Sequence, residues 1–226
     1  MTYIALDNPL WASLTTSHRA VARGADGVLR YPRDVAPFLA VPDGRAVRDE
    51  VLDALIEPGE TVLLVGPVPA VSGRWEVTSL GPILQMVCEG PIEAPGGPPI
   101  RTLGPADREA VLALTALVYP HYFRPRTMEL GRYTGVVDGP RLEAMLGERM
   151  GFPGFREISA VCTHPDHVGR GLARHLLATA STELREAGTT PFLHVSPQNT
   201  RAVRLYEQNG YRTRTGIAFW SLARRA

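Results

Sequence analysis

The chain has 226 residues, of which 44% are hydrophobic, and its formal net charge is +1 at pH 7. A chain of this length buries one large core or two modest ones, since domains usually hold roughly 100 to 200 residues. The near-neutral charge gives no electrostatic reason to bind nucleic acid or an anionic membrane surface, so we expect neither as a partner.

The cysteines and the N-terminal residues indicate where in the cell the protein is located. Cys88 and Cys162 each lie in an apolar run without paired spacing, which is typical of buried free thiols in a reducing cytoplasm. Residues 1–7 show no basic stretch leading into an apolar core, and no apolar run approaches the roughly 18 residues that span a bilayer. The sequence therefore predicts a cytoplasmic protein.

Residues 1–90 are predicted to form a small α/β domain. An amphipathic helix is expected over 45–56, with strands over 61–65 and 75–88. Residues 91–99 are rich in proline and glycine, which remove backbone donors and loosen the chain. We predict a linker there and a domain boundary at this point.

Residues 100–226 are predicted to form a second, larger domain. A short strand is followed by a helix that opens with Pro105 in its first turn. Strands are then expected over 131–137, 141–150 and 155–163. A succession of strand, helix, strand and helix completes the chain.

A glycine-containing turn follows the strand over 155–163. Gly169 and Gly171 lie between that strand and a helix with Leu172 and Leu176 on one face. The first N–H groups of a helix lack intrahelical acceptors and carry partial positive charge, so such a turn can bind a pyrophosphate without a lysine. The Gly-x-Gly spacing alone also opens ordinary helices and other nucleotide sites.

In this context the segment Val-x-Thr-x-Pro, turn, Gly-x-Gly-x-Ala resembles the cofactor-binding motif of the GNAT acyltransferase superfamily. A second segment, from Asn199 through Ala202 and Leu205-Tyr206 to Gly210-Tyr211, resembles another signature of that superfamily. The resemblance runs from about Ile100 to the C-terminus. It implies a GNAT fold of the α/β (α+β) class, with a central mixed, mostly antiparallel sheet flanked by helices, beside the smaller N-terminal α/β domain.

The resemblance also implies an N-acyltransferase that moves an acetyl group from acetyl-CoA directly to a primary amine. The pantetheine would follow the strand and the pyrophosphate would lie on the turn. The implied cofactor-binding residues are Val161, Cys162, Thr163, Val168, Gly169, Arg170, Gly171, Leu172, Ala173 and Asn199. Val168 departs from the family, which usually has Arg or Gln there, and Asn199 equally suits a helix N-cap.

Two catalytic residues follow from the same resemblance. Tyr206 matches the tyrosine that protonates the departing thiolate, and Glu157 matches a glutamate that acts as base directly or through water. The backbone N–H of Val161 would stabilise the oxyanion. Tyr206 could instead be a packed aromatic, and Glu157 a surface carboxylate at a strand end.

The stretch that contains Tyr119, Tyr122 and Phe123 lies where the family binds its acceptor, a small-molecule or peptide amine. We predict that these three residues contact the substrate, with an ordinary packed loop as the alternative. His164, His167 and His175 lack a supporting set of ligands at metal spacing, so no metal site is predicted.

Three alternatives remain open from the sequence. A GNAT fold could bind acyl-CoA without turnover, as a sensor or interaction module, and Val168 favours this. The N-terminal unit could be a degenerate GNAT-like domain, which would make the protein a tandem or a homodimer. A nucleotide-binding dehydrogenase would need Gly-x-Gly-x-x-Gly after the first strand, which the sequence lacks.

Overall fold

A computed structural model describes residues 3–90, 92–93, 95–118, 120 and 122–225. Its helices are α1 (Pro9–Thr15), α2 (Asp49–Leu55), α3 (Arg108–Val118), α4 (Leu172–Glu186) and α5 (Thr200–Glu207). Short 3-10 helices occur at Tyr3–Asp7, Pro105–Asp107, Thr127–Leu130 and Pro165–His167. Within the described residues, no helix combines the length and apolar character that crossing a bilayer requires.

The strands form one small and one large sheet. They are β1 (Arg23–Ala25), β2 (Val28–Arg30), β3 (Leu39–Ala40), β4 (Thr61–Val65), β5 (Trp75–Cys88), β6 (Ile100–Leu103), β7 (Tyr133–Asp138), β8 (Arg141–Phe152), β9 (Phe155–Thr163), β10 (Thr190–Val195) and β11 (Tyr211–Arg224). The small sheet has the order β1-β2-β3, and the large one β4-β11-β5-β10-β9-β8-β7-β6. Among the strands of the described chain, β9 and β10 make the single parallel pair in the large sheet. The predicted mixed, mostly antiparallel sheet flanked by helices is confirmed.

The large sheet crosses the predicted domain boundary at residues 91–99. β5 lies between β10 and β11, and β4 pairs with the outer side of β11. Residues 61–88 thus share a layer with the C-terminal half. Whether residues 1–90 fold independently stays a prediction, but the sheet itself does not divide there.

The two faces of the large sheet are covered by different elements. On one face, α4 and α5 pack with Leu172, Leu176 and Tyr206 against strand residues such as Leu193. On the other face, a cluster joins α1 and residues 31–40 to the β8–β10 region, with Leu10 beside Phe152 and Phe192. α3 packs on this second face near β8 and β9.

The structure differs from the prediction at one helix and at one strand. The helix expected over 45–56 begins only at Asp49, because the backbone of Arg45 and Val47 bonds to Ala70 and is held extended. The last strand, β11, was not predicted. Its polar and basic residues, such as Arg212 and Arg214, gave no buried-strand pattern, although it pairs along β4 and β5.

We predict that the chain unfolds in one cooperative transition because the cluster around Leu10 includes residues from both sides of the predicted boundary. Leu10→Ala should lower the free energy of unfolding by about 2 to 5 kcal/mol, from lost burial and the cavity left behind. Urea denaturation followed by circular dichroism measures this. Leu117→Ala, on the exposed side of α3, is the matched control and should change little. A separate early transition in Leu10→Ala would contradict the prediction and favour independent domains.

Candidate active site

A cleft opens in the large sheet where β9 and β10 separate. Their parallel pairing ends with Phe192 opposite Glu157, although β9 continues to Thr163 and β10 to Val195. The cleft has a volume of about 520 Å³. It therefore lies in a gap between two strands of one sheet, and not on the outside of the sheet.

A bulge in β9 shapes one wall of this cleft. The register with β8 runs from Met145 opposite Cys162 to Gly147 opposite Ser159, so β9 carries one extra residue. Ala160 adopts a φ of 51°, in the left-handed region that non-glycine residues rarely occupy. A bulge leaves backbone groups outside the ladder, and here Ala160 and Val161 line the cleft.

The cleft passes through the sheet from one face to the other. On the face that carries α4 and α5 it is lined by Val161, Val195, Asn199 and Tyr206. On the opposite face it is lined by aromatic and aliphatic residues of the N-terminal half, α3 and β11. A ligand that enters from the first face can thus meet a second molecule on the other.

The glycine turn at the start of α4 has the geometry of an anion-binding loop. Gly169 and Gly171 have φ of 90° and 78°, and a Cβ at either position would have no atom within 4 Å. Both positions therefore face open space. Helix geometry leaves the N–H groups of Leu172 and Ala173 without an acceptor in α4, and the helix dipole adds partial positive charge.

A buried carboxylate, that of Glu143, holds this turn in place through two residues of the turn. Glu143 Oε1 lies 3.1 Å from Arg170 Nη1 and 3.0 Å from His167 Nδ1. Val168, between these two partners, is exposed. Glu143 thus fixes the turn. Val168, the residue that departs from the family pattern, makes no contact with the core.

A buried ion pair lies at the point where β9 and β10 separate. Glu157 is fully buried and accepts hydrogen bonds from Arg149 Nε (2.7 Å) and Nη2 (2.6 Å). Its Oε1 also accepts from His194 Nδ1 at 2.8 Å. Burial would raise the pKa of Glu157, but the charge and hydrogen bonds of Arg149 and the bond from His194 lower it to about 2.

A chain of hydrogen bonds continues from His194 toward the surface. Arg214 donates to Gln85 Oε1 (2.8 Å), so the Gln85 amide nitrogen faces Leu6 O (2.8 Å) and His194 Nε2 (3.1 Å). This orientation makes His194 Nε2 an acceptor and Nδ1 the protonated nitrogen. Both ring nitrogens of His194 are therefore engaged by other residues of the protein.

This geometry changes the predicted role of Glu157. It is not a surface carboxylate, and a group with a pKa of about 2 is a weak direct base. The structure makes Glu157 the residue that holds Arg149 and His194 in place. Arg149 and His194 both line the cleft, and sequence reasoning missed them.

The other predicted catalytic and cofactor-binding residues lie around the cleft to different degrees. Tyr206 lines it from α5 and packs 6.0 Å from the Tyr211 ring. Asn199 lines it as well, and its side chain caps α5 by accepting from Ala202 N at 3.1 Å. The position of Asn199 thus agrees with both of its predicted roles, cofactor binding and the N-cap of α5. Thr163 lies at the far end of β9, beyond the residues that line the cleft.

Cys162 lies at the cleft but is buried against the core beside α3. Burial raises the pKa of its thiol to about 12, which keeps it protonated at neutral pH. A thiolate there would be needed for covalent catalysis. Cys162 is thus a packing residue of the strand and is unsuited to act as a nucleophile.

The three predicted substrate-binding residues differ in their relation to the cleft. Tyr122 lines the cleft and packs edge-on against Phe219, with ring centroids 6.5 Å apart. Phe123 packs instead against Tyr133, at 5.8 Å, in the core beside α3. The structure therefore does not bring Phe123 into the cleft, because neighbouring residues in this turn face opposite ways. Tyr119 lies outside the described residues.

The turn histidines take part in local contacts. His164 and His167 pack edge-on with centroids 5.7 Å apart, and His175 lies near the carbonyl oxygens of Pro95 and Pro98. In the part of the chain that the structure describes, no three His, Cys, Asp or Glu side chains converge as metal ligands. Each of the three histidines is thus in contact with neighbouring protein groups.

Known proteins resemble this chain in sequence and in fold. A family model described as FR47-like protein matches residues 133–220. The curated L-amino acid N-acyltransferase MnaT of Escherichia coli (strain K12) is 32% identical over 98 residues, which cover 40% of this chain. The match spans 55% of that relative, so this chain covers about half of its length.

Solved structures match over a longer range. One, from Novosphingobium aromaticivorans DSM 12444 and assigned to the GNAT family of acetyltransferases, is 32% identical with a TM-score of 0.88, covering 98% of this chain and 99% of that one. A GCN5-related N-acetyltransferase from Kribbella flavida shares the fold, with 19% identity, a TM-score of 0.59 and coverage of 96% and 94%. The chain belongs to the GNAT family.

We predict that Glu157→Gln removes a pH-dependent part of the stability. The folded-state pKa of Glu157 is lowered from 4.5 to about 2, so its contribution is present above pH 4.5 and is lost as the pH falls toward 2. The variant should lose about 3 kcal/mol or more at neutral pH, since Arg149 stays buried without its partner. Its free energy of unfolding should also fall less steeply on acidification.

Urea denaturation across this pH range measures both effects. Glu57→Gln is the matched control, because Glu57 pairs with Arg33 on the surface with both side chains about two thirds exposed, at 66% and 65%. It should retain the wild-type pH profile. Equal profiles for wild type and Glu157→Gln would contradict the pKa assigned to Glu157.

Proposed function

We propose that the protein is an N-acyltransferase that moves an acetyl group from acetyl-CoA directly to a primary amine. The observation that carries this proposal is the parting of β9 and β10 beside the glycine turn of α4. The separation provides a channel through the sheet, and the chain that leaves the end of β9 leads within a few residues to the anion-binding start of α4. MnaT of Escherichia coli is named an L-amino acid N-acyltransferase, which supports transfer to an amine.

The residues around the turn fit the acyl donor. The open space at Gly169 and Gly171 lets a pyrophosphate approach the N–H groups that begin α4. Val161 and Val195 line opposite walls between the parted strands, so an extended pantetheine arm would lie between them. We propose that Val168 to Ala173 hold the pyrophosphate through backbone donors, which the change from Arg or Gln to Val168 leaves intact.

Acetyl-CoA supplies an acyl thioester, and transfer forms a C–N bond, breaks a C–S bond and releases one proton from the amine. The bulge at Ala160 supports the Val161 N–H as the donor that stabilises the developing oxyanion. Tyr206, on the α5 side of the cleft, would donate its phenolic proton to the departing sulfur. The amine would approach from the opposite face.

The amine proton leaves toward that opposite face. Glu157 is held by Arg149 and has a pKa of about 2, so we assign it a positioning role. It fixes the tautomer and orientation of His194, whose side chain borders the cleft. In this scheme water in the cleft accepts the amine proton, and Tyr206 regains from water the proton that it gave to the sulfur.

A second function, binding of acyl-CoA without turnover, is favoured by Val168. Its exposed side chain supplies no polar contact to a phosphate. Both functions require the cofactor to bind, and turnover separates them.

We predict that Gly171→Val abolishes acetyl-CoA binding measured by isothermal titration. A branched side chain would occupy the open space above the turn and would be strained at a φ of 78°. Gly188→Val is the matched control, since Gly188 follows the other end of α4 with a φ of 72° and equally open surroundings. It should bind normally despite similar strain. Normal binding by a folded Gly171→Val protein would place the pyrophosphate elsewhere.

We predict that Tyr206→Phe lowers kcat by about 100-fold while the Kd for acetyl-CoA is unchanged, because only a proton donor is lost. Thiol release under saturating amine measures kcat, and calorimetry measures Kd. Tyr211→Phe removes a buried hydroxyl that bonds to Ser181 at 2.7 Å. This control should cost stability but not rate. An unchanged kcat in Tyr206→Phe would remove its role as acid.

A further inference from the structure

We infer that the acceptor is a primary amine with an apolar body, aromatic or branched aliphatic, and without a carboxylate beside its amino group. The inference rests on the proposed function and names the substrate class for the same cleft. It concerns the side of the cleft opposite α4 and α5, which we call the acceptor side.

The acceptor side is made of large apolar groups. They are Phe38, Val65, Ile83, Val118, Tyr122 and Phe219. They come from the N-terminal half, from α3 and the turn after it, and from β11, so the pocket forms only when the whole sheet assembles. Burial of an apolar body against such walls is favourable in proportion to the area removed from water.

The acceptor side has few positively charged groups that could bind an anionic substrate. Among the described residues that line the cleft, Arg149 is the only one with a permanent charge. Two of its nitrogens donate to Glu157, at 2.6 and 2.7 Å, and its guanidinium lies 4.8 Å from the centre of the Phe38 ring. The positive charge of Arg149 is thus already paired with the buried carboxylate of Glu157 before any substrate binds.

Both ring nitrogens of His194 are already hydrogen-bonded within the protein. Its Nδ1 donates to Glu157, and its Nε2 accepts from Gln85. A carboxylate on the acceptor would therefore lose its water without gaining an uncommitted positive partner from the described residues of the cleft, which is unfavourable. An amine that lacks this group avoids the loss.

Two pairs of compounds that differ only in a carboxylate test this inference. Phenethylamine is compared with phenylalanine, and 3-methylbutylamine with leucine, as acceptors for the full-length protein with acetyl-CoA, by thiol release. We expect kcat/KM to be at least about tenfold higher for each amine than for its amino acid. Equal or higher values for the amino acids would overturn the inference.

Calorimetry with acetyl-CoA separates failure of this inference from failure of the proposed function. If acetyl-CoA does not bind and no compound reacts, the proposed function itself fails. If acetyl-CoA binds and the amino acids are the better acceptors, only the acceptor class is wrong. If acetyl-CoA binds and none of the four compounds reacts, the acceptor class is also wrong, and thiol release with a wider set of amines then decides whether transfer itself fails.

One variant provides an independent measurement. Phe219→Ala enlarges the acceptor side and should raise KM for phenethylamine about tenfold, while KM for acetyl-CoA is unchanged. Trp220→Ala, at the next position of β11, is the control, since Trp220 packs in the core beside α2. It should leave both KM values unchanged. The same KM for phenethylamine in Phe219→Ala and wild type would contradict the placement of the acceptor.

Discussion

The site depends on one constraint, the end of the parallel pairing between β9 and β10 at Glu157 and Phe192. Strands in a sheet normally stay about 4.8 Å apart because their backbone groups need partners. Beyond these two residues β9 and β10 no longer pair with each other, although β9 stays paired with β8 and β10 with β5, and β9 carries a bulge at Ala160. The gap that results gives a ligand access to backbone groups inside the sheet. The channel, the two faces and the position of the α4 turn all follow from this separation.

The buried ion pair supports that separation at its narrowest point. Glu157 bonds to Arg149 of β8 and His194 of β10, so it links the strands on both sides of β9. Gln85 of β5 and Arg214 of β11 extend the network to the far strands. A buried charge pair is weak evidence of net stability, but breaking it leaves an uncompensated charge. We therefore regard the network as a scaffold that fixes where the strands diverge and which groups border the acceptor side.

Much of the fold could be predicted because its signals are local. The apolar run of β9, the glycines at 169 and 171 and the cap at Asn199 each lie within a few residues of the element they define. The network around Glu157 could not be predicted, since its other members come from β5, β8, β10, β11 and the N-terminal segment, which are far apart in sequence. The only local sign was the presence of Arg149 and His194 within apolar strands. The final strand β11 was missed because its basic residues interrupt the apolar pattern typical of a buried strand. The packing of residues 31–40 on the sheet depends on tertiary contacts alone.

The central claim is that acyl-CoA lies in the gap between β9 and β10 with its pyrophosphate on the turn before α4. The most direct measurement is a titration of the ¹⁵N-labelled protein with coenzyme A, followed by the backbone amide resonances in NMR spectra. The account predicts that Gly169, Gly171 and Leu172 shift most, together with Val161 at the bulge, while Gly188 at the far end of α4 does not. Shifts that cluster away from the turn and the parted strands, or saturation without any change at Gly169 and Gly171, would contradict it.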